Sequence, residues 1–400
     1  MKIVQINQFS YKAAGNIMMN LHKSMLAQGI DSYVVWGRGR EPVGNREYKM
    51  TNSLDVAVHG VYSRLFDRTG FASSNATRRL VAWLNNIKPD IIHLHCIHGY
   101  YLNIKILFDY IRQNDIRVVW TQHDCWAFTG HCAYFDAVGC EKWKNGCFDC
   151  PQLNTYPKAF VDNSKKNWLD KKALFSGLNI QIVTPCEWLK EKMKDSFLGE
   201  YPIEVIYNGI DLNVFCPVKS DYKSRINATN KYMILGVAGE WTARKGLNDF
   251  VKLKKMLNQD LFQIVLVGLT AKQKKNLPSS IIGIERTENV HELVELYSAA
   301  DVFLNPTYED NYPTTNLEAI ACGTRVLTYK TGGSPESISS ETGMVFEKGD
   351  VDGVFRWIQK EFNKNEKRSL PSNAAKCFCK NNMIEKYVDL YGIGEKAKCP

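Results

Sequence analysis

Short β-rich runs alternate with helix-like runs along almost the whole 400-residue chain, and this rhythm restricts the fold more than any other feature. An extended apolar run followed by an amphipathic one, repeated many times, is the pattern of a parallel sheet whose crossovers are helices. In the first half the expected strands are 2–6, 32–36, 91–95, 118–122, 180–184 and 204–207; in the second they are 233–237, 262–267, 302–305, 325–328 and 343–346. Helical patterns lie between them, among them 16–28, 103–113, 246–257 and 290–299. The predicted class is α/β.

Such a length exceeds one ordinary core and predicts two domains. The seam falls at Asn208-Gly209-Ile210-Asp211, after which a polar stretch leads to a new strand and the rhythm restarts. The expected division is 1–208, 209–375 and a helical tail 376–400 that packs back on the first domain, with a Cys-rich insert at 125–151. Two doubly wound domains facing across a cleft would place their sites at the carboxyl ends of the strands.

The apolar share is 44% and the charged share 23%, as in globular proteins, and no apolar run approaches the ~20 residues of a bilayer span. The opening Met-Lys-Ile-Val-Gln-Ile reads as a first strand rather than a signal peptide, so a cytoplasmic location is expected. With 51 basic against 42 acidic side chains, the net charge of +9 favours anionic partners. A lipid diphosphate or the inner face of a plasma membrane, touched peripherally, is the expected kind. No long basic run and no finger-type or aromatic–basic motif supports nucleic-acid binding.

The chemistry concentrates in Asp310-Asn-Tyr-Pro-Thr-Thr-Asn-Leu-Glu318, which Ala-Ile-Ala-Cys-Gly323 follows. Pro313 is expected to open a helix and Gly323 to close it. Its N-terminus offers Thr314 and Thr315 hydroxyls with unpaired N–H groups, a seat for phosphate. Glu318 lies four residues past Thr314 on the same face, about 6 Å along the axis. That offset suits a diphosphate on the helix end and ribose hydroxyls at the carboxylate; a capped surface helix is the plain alternative. Upstream, Arg244-Lys245-Gly246 sits at a strand-to-helix turn, where two cations can clamp a diphosphate leaving group or simply be solvated. Downstream, Thr331-Gly332-Gly333-Ser334-Pro335-Glu336 lets backbone approach a ligand before a new helical turn.

In this order, these segments resemble the nucleotide-sugar domain of glycosyltransferase family 4, and the Asn-Gly-Ile-Asp seam is also a habit of that family. The resemblance covers nearly the whole chain and points to the bacterial surface-polysaccharide subgroup of the colanic acid, capsule and O-antigen kind. It implies the two-Rossmann GT-B fold and a retaining hexosyltransferase. The donor would be a nucleotide diphosphate sugar, UDP-linked first and GDP-linked second, and the acceptor a lipid-linked oligosaccharide. Lys245, with Arg244 beside it, would contact the donor diphosphate. Glu318 would hold the ribose, and Pro313–Thr315 would present N–H groups to the distal phosphate. The Gly332-Gly333 turn would come close to the donor. The first acid of the motif, which positions the transferred sugar, falls on Asp310 or on its neighbour Glu309. The family usually has Glu at this registered position, and often an Arg where this chain has Gly239-Glu240-Trp241.

In the first domain the resemblance puts the loop 7–15 at the cleft floor near phosphates or acceptor, with Gly15-Asn16 opening a helix. His123, directly after a strand, would touch the transferred sugar. His93 and His95 share one strand face with His98 nearby, as buried partnered histidines or as a metal pair. Among the 12 cysteines, Cys132, Cys140, Cys147 and Cys150 form a dense group beside Cys125 and His131. Structural zinc, free thiols and disulfides all remain open for it. Catalysis is expected to need no cofactor: both cleft acids bind donor, and the departing phosphate takes the acceptor's proton in a front-face route. A nucleotide-sugar epimerase of the same fold, or a non-catalytic nucleotide-sugar-binding protein, are the alternatives.

Overall fold

A computed structural model describes residues 1–364, 370–371 and 373–393. The end of the expected C-terminal tail, 394–400, lies outside the described residues. The chain divides into two units, residues 1–207 with 383–400 and residues 208–382. The first unit holds a sheet ordered β3-β2-β1-β4-β5-β6-β7. Its strands are β1 Lys2–Phe9, β2 Asp31–Arg38, β3 Glu47–Lys49, β4 Ile91–Leu94, β5 Arg117–Thr121, β6 Ile180–Thr184 and β7 Ile203–Val205. Every pairing is parallel. The order reverses between β1 and β4, which makes their carboxyl ends the switch point where such sheets hold ligands.

The central strands β4, β5 and β6 are almost wholly buried on both faces, so they read as Val/Ile-rich runs rather than alternating ones. Ile3, Ile91, Val119 and Val183 share one core with Ile17, Leu21 and Met25 of the helix Lys12–Ala27. Met383, Ile384, Tyr387 and Tyr391 of the C-terminal helix Lys380–Tyr391 close that same core. The expected tail started at residue 376, but residues 376–382 stay with the second unit. There Ile210 pairs with Cys379 and Lys380 bonds Asp211.

The expected helix start at Gly15-Asn16 is corrected: the helix begins at Lys12, and both residues lie inside it. Gly15 is required by packing, since a Cβ there would stand 2.6 Å from the Phe9 carbonyl oxygen. Asn16 is exposed.

The second unit repeats the scheme with order β10-β9-β8-β11-β12-β13. The strands are β8 Tyr232–Val237, β9 Phe262–Val267, β10 Ile281–Ile284, β11 Val302–Asn305, β12 Val326–Tyr329 and β13 Gly343–Phe346, again parallel throughout. Its switch point lies between β8 and β11. Among the described residues no helix is long and apolar enough to cross a membrane.

Five histidines are held neutral by burial, His95 among them at well below its ordinary value. His22, His59 and His123 are pushed down to about 4 and His93 to about 3, from an ordinary 6.5. Because the folded state resists the proton, the unfolded chain binds more of it between about pH 6.5 and pH 4. Stability is therefore full above that window and falls as pH drops through it. Each group contributes up to about 1.4 kcal/mol per pH unit, and the partly exposed His123 less. Melting scans from pH 8 to 4.5 should show a plateau above pH 7 and a steady decline below 6.5; a midpoint independent of pH would refute this.

Candidate active site

In the second unit, β8 and β11 are neighbours, so the loops leaving their carboxyl ends are delivered side by side. The β8 loop ends in a 3-10 turn, Ala243–Lys245, and Gly246 at φ 75 then turns the chain into the helix Leu247–Met256. A Cβ on Gly246 would lie 2.1 Å from the Pro306 carbonyl oxygen, which is how tightly the two loops pack. The Tyr308 N–H donates to the Arg244 carbonyl at 2.7 Å and locks them together.

This brings together the basic pair and the acids that the sequence singled out. Lys245 Nζ donates to the Asp310 carboxylate. The Arg244 guanidinium donates to the Glu309 carbonyl, while the Glu309 side chain is buried. Burial works against charge on Asp310, yet Lys245 and then Arg244 hold its carboxyl below the usual range. A lysine facing a half-buried, ionised acid at a switch point is a fixed charge pair with little left to reorganise.

The helix Thr314–Ala321 begins after Pro313, which sits at the N-cap with φ −70 and ψ 115 rather than at the first helical position expected of it. No side chain caps this end. The first N–H groups of a helix lack intrahelical partners, and the helix dipole adds to their attraction for an anion. Thr314 and Thr315 stand at this end, half-buried. Glu318, two residues into the second turn, hydrogen-bonds Thr314 and accepts from Tyr297 Oη at 3.0 Å. Burial pushes its carboxyl up, against the pull of these two donors.

The Gly332-Gly333 turn joins the same group. Gly332 has φ 53, and a Cβ on it would fall 1.8 Å from the Asp310 carbonyl oxygen. Gly333 caps the 3-10 turn Ser334–Ser337. A buried network fixes this arrangement from below. Asn316 accepts from Asn305 at 2.9 Å and donates to Ser334 and Ser337 Oγ at 3.1 Å each, while Thr328 bonds Ser334 at 2.7 Å.

In the first unit, the carboxyl ends of β4 and β5 carry a second polar group. His93 donates or accepts at Thr121 and Tyr391, 2.8 and 2.6 Å away, so it is a fully partnered core residue. His95 joins His123 at 3.1 Å. Behind them Cys96, His98 and Asp124 place their ligand-type atoms within 4.8 Å of one another. Both ring nitrogens of His98 are engaged, by Asp124 at 2.7 Å and Tyr156 Oη at 3.0 Å. The set is therefore an Asp–His–Tyr hydrogen-bond chain rather than a metal centre. Sequence reading missed Asp124 and Tyr156, and it missed Tyr297, Asn305 and Asn316 in the second unit. Only Asp124, next to His123, offered a local signal.

Comparison with known proteins identifies the family and the fold. Residues 14–214 match the family described as Glycosyltransferase Family 4, and residues 218–377 that described as Glycosyl transferases group 1. Among full-length relatives is an Escherichia coli (strain K12) protein named as a colanic acid biosynthesis glycosyl transferase, WcaC. It is 25% identical over 419 residues, covering 98% of this chain and 99% of that protein. A Campylobacter jejuni N,N'-diacetylbacillosaminyl-diphospho-undecaprenol alpha-1,3-N-acetylgalactosaminyltransferase is 30% identical over 194 residues, 45% of this chain and 48% of that protein. Among solved structures, Anabaena HepE in complex with UDP and glucose superposes with a TM-score of 0.69 at 14% identity. That match covers 98% of this chain and 99% of the other, and it shows the fold.

Proposed function

Because the chain belongs to glycosyltransferase family 4, we propose that it moves a hexosyl residue from a nucleotide diphosphate sugar to a lipid-linked oligosaccharide during surface-polysaccharide synthesis, with retention of configuration. UDP is the first choice of nucleotide, as in the HepE complex, and GDP the second. The lipid-linked acceptor rests on the Campylobacter relative, whose name specifies a diphospho-undecaprenol substrate. One observation carries the reading: Lys245 with Asp310, the uncapped helix end at Thr314 and Glu318 in its second turn form one group at a switch point.

Each group has a defined task. Arg244, Lys245 and the N–H groups at Thr314 and Thr315 steady the diphosphate as it leaves. Glu318 takes the ribose hydroxyls, with Tyr297 orienting it. Asp310 or Glu309 positions the transferred sugar, and His123, at the carboxyl end of β5, keeps the sugar-contact role that the family resemblance implies for it. A neutral imidazole suits that task, since burial holds it uncharged near pH 7. The bond from the anomeric carbon to the phosphate oxygen breaks as the acceptor oxygen bonds the same face, and the acceptor's proton passes to the departing phosphate. This scheme needs no divalent cation. The charge of +9 supports peripheral contact with an anionic membrane surface.

Calorimetric titration of UDP and GDP into the protein tests the donor site. One nucleotide should bind with micromolar affinity and lose at least about tenfold, roughly 1.4 kcal/mol, in Glu318→Ala. If neither nucleotide binds, the donor assignment fails.

A further inference from the structure

The stretch from Cys125 to Gln152 contains two short 3-10 turns, Asp136–Val138 and Lys142–Lys144, and no strand or α-helix. A small aromatic cluster fills it, with Trp143 against Phe128 and Phe135 at centroid distances of 5.2 and 4.8 Å. Beside that cluster lies a cavity of about 10 Å³ lined by His131, Cys132, Cys140, Cys147 and Cys150. Thiols up to 18 residues apart in sequence therefore line one cavity.

His131 decides what the cavity is for. Its Nδ1 bonds the Asp67 carboxylate at 2.5 Å, and the two side chains are 1% and 2% exposed. The other carboxylate oxygen of Asp67 accepts from the Asn163 N–H at 3.0 Å, so the acid cannot swing away. With Nδ1–H given to a carboxylate, Nε2 carries a lone pair, and this buried atom has no hydrogen-bond partner. A buried imidazole fixed by a carboxylate and presenting a bare nitrogen is how metal-bound histidines are held.

The thiols complete the set. Cys132 and Cys150 hydrogen-bond to one another, and Cys150 lies within electrostatic reach of His131. Cys147 interacts with both Cys132 and Cys150, and its sulfur accepts the Gly130 N–H at 3.1 Å. Cys140 also lines the cavity, with Cys147 as its neighbour, but among the described residues no interaction links it to His131, Cys132 or Cys150 in the way the other thiols are linked.

We infer that this cavity is a structural zinc site in which the thiolates of Cys132, Cys147 and Cys150 and Nε2 of His131 are the four ligands. Three thiolates and Zn²⁺ carry one net negative charge, and the amine of the buried Lys171 lies beside Cys147. Lys171 Nζ is itself held by the Trp126 and Thr129 carbonyls at 2.7 and 3.1 Å. Four protein ligands leave no open position, so the ion is structural rather than catalytic. No three of the four ligand atoms lie mutually within 4.8 Å among the described residues. Zn–S bonds of about 2.3 Å imply edges of roughly 3.8 Å, so the ion has to draw the 147–150 turn inward. The site is independent of the donor assignment above. It replaces Cys140 of the set expected from sequence with His131.

The test is metal analysis of the protein purified without chelators, then replacement of the bound metal by cobalt(II). About one zinc per chain is expected, with a tetrahedral cobalt spectrum whose sulfur-to-metal band has three-thiolate intensity. Cys140→Ser should keep the metal, while His131→Ala should weaken its retention at least about tenfold. Protein with no zinc and all thiols reactive overturns the site. A four-thiolate cobalt spectrum overturns the assignment of His131, and because it is read on the unaltered protein it does not depend on any variant folding.

Discussion

Lys245→Ala is expected to lower kcat/KM by about 10²–10³-fold, the usual cost of removing one preorganised charge donor from a developing anion. Lys245 is the donor that faces the acid of the motif, and its side chain is only 20% exposed, so bulk water does not simply replace it. The substitution also leaves Asp310 ionised in a 16% exposed position beside Arg244 alone, which destabilises the fold as well as the transition state. The two effects separate in the double variant Lys245→Ala/Asp310→Asn. Removing the stranded charge should recover most of the thermal midpoint and none of the rate. Lys245→Arg keeps the charge with different geometry and should fall between. A Lys245→Ala protein within about threefold of the parent would remove this residue from the leaving-group role.

Gly332→Ala should be the most damaging single methyl in the second unit. The φ of 53 costs an alanine on its own, and the new Cβ would meet the Asp310 carbonyl oxygen at 1.8 Å. Since Asp310 is tied to Lys245 and its loop to Arg244, the strain passes directly into the proposed donor site. A loss of about 2–4 kcal/mol is expected, together with lower activity. Gly323→Ala is the control. It has φ 83, but the nearest atom is the Pro217 side chain at 3.5 Å, so it carries only the backbone cost, about 1 kcal/mol. Thermal unfolding of the two variants separates contact from conformation; equal losses would mean that the turn yields freely.

The sequence made these predictions reachable where its signals are local. The helix Val290–Ala299 is legible because Asn289 caps it and an apolar run follows. The buried central strands are legible because both faces demand Val and Ile. β3, Glu-Tyr-Lys, was missed because a short polar edge strand has no hydrophobic pattern, and β10 because Gly283 interrupts it. Gly15 was misread for a related reason: a glycine needed for close packing inside a helix looks the same in sequence as one that begins it.

The candidate site divides in the same way. Arg244-Lys245, Asp310 and Glu318 were found because each sits in a turn or helix end with recognisable spacing. Tyr297 reaches Glu318 across 21 residues and Tyr156 reaches His98 across 58, and only the folded sheet creates those contacts. His131 was noticed as a neighbour of the thiols, but its bare nitrogen depends on Asp67, 64 residues earlier.

The helix that contributes Met383, Ile384, Tyr387 and Tyr391 to the first unit's core has a consequence for the order of synthesis. Domains usually fold as they leave the ribosome, the N-terminal one first. Here the second unit, 208–382, is complete in sequence before the last piece of the first has been made. The earlier-synthesised core of Ile3, Ile91 and Val183 must wait, incomplete, for Met383, Ile384, Tyr387 and Tyr391 of the final helix. A nascent chain halted near residue 382 would therefore carry a finished second unit and an exposed apolar surface on the first, the species in which chaperone dependence and aggregation during expression should concentrate.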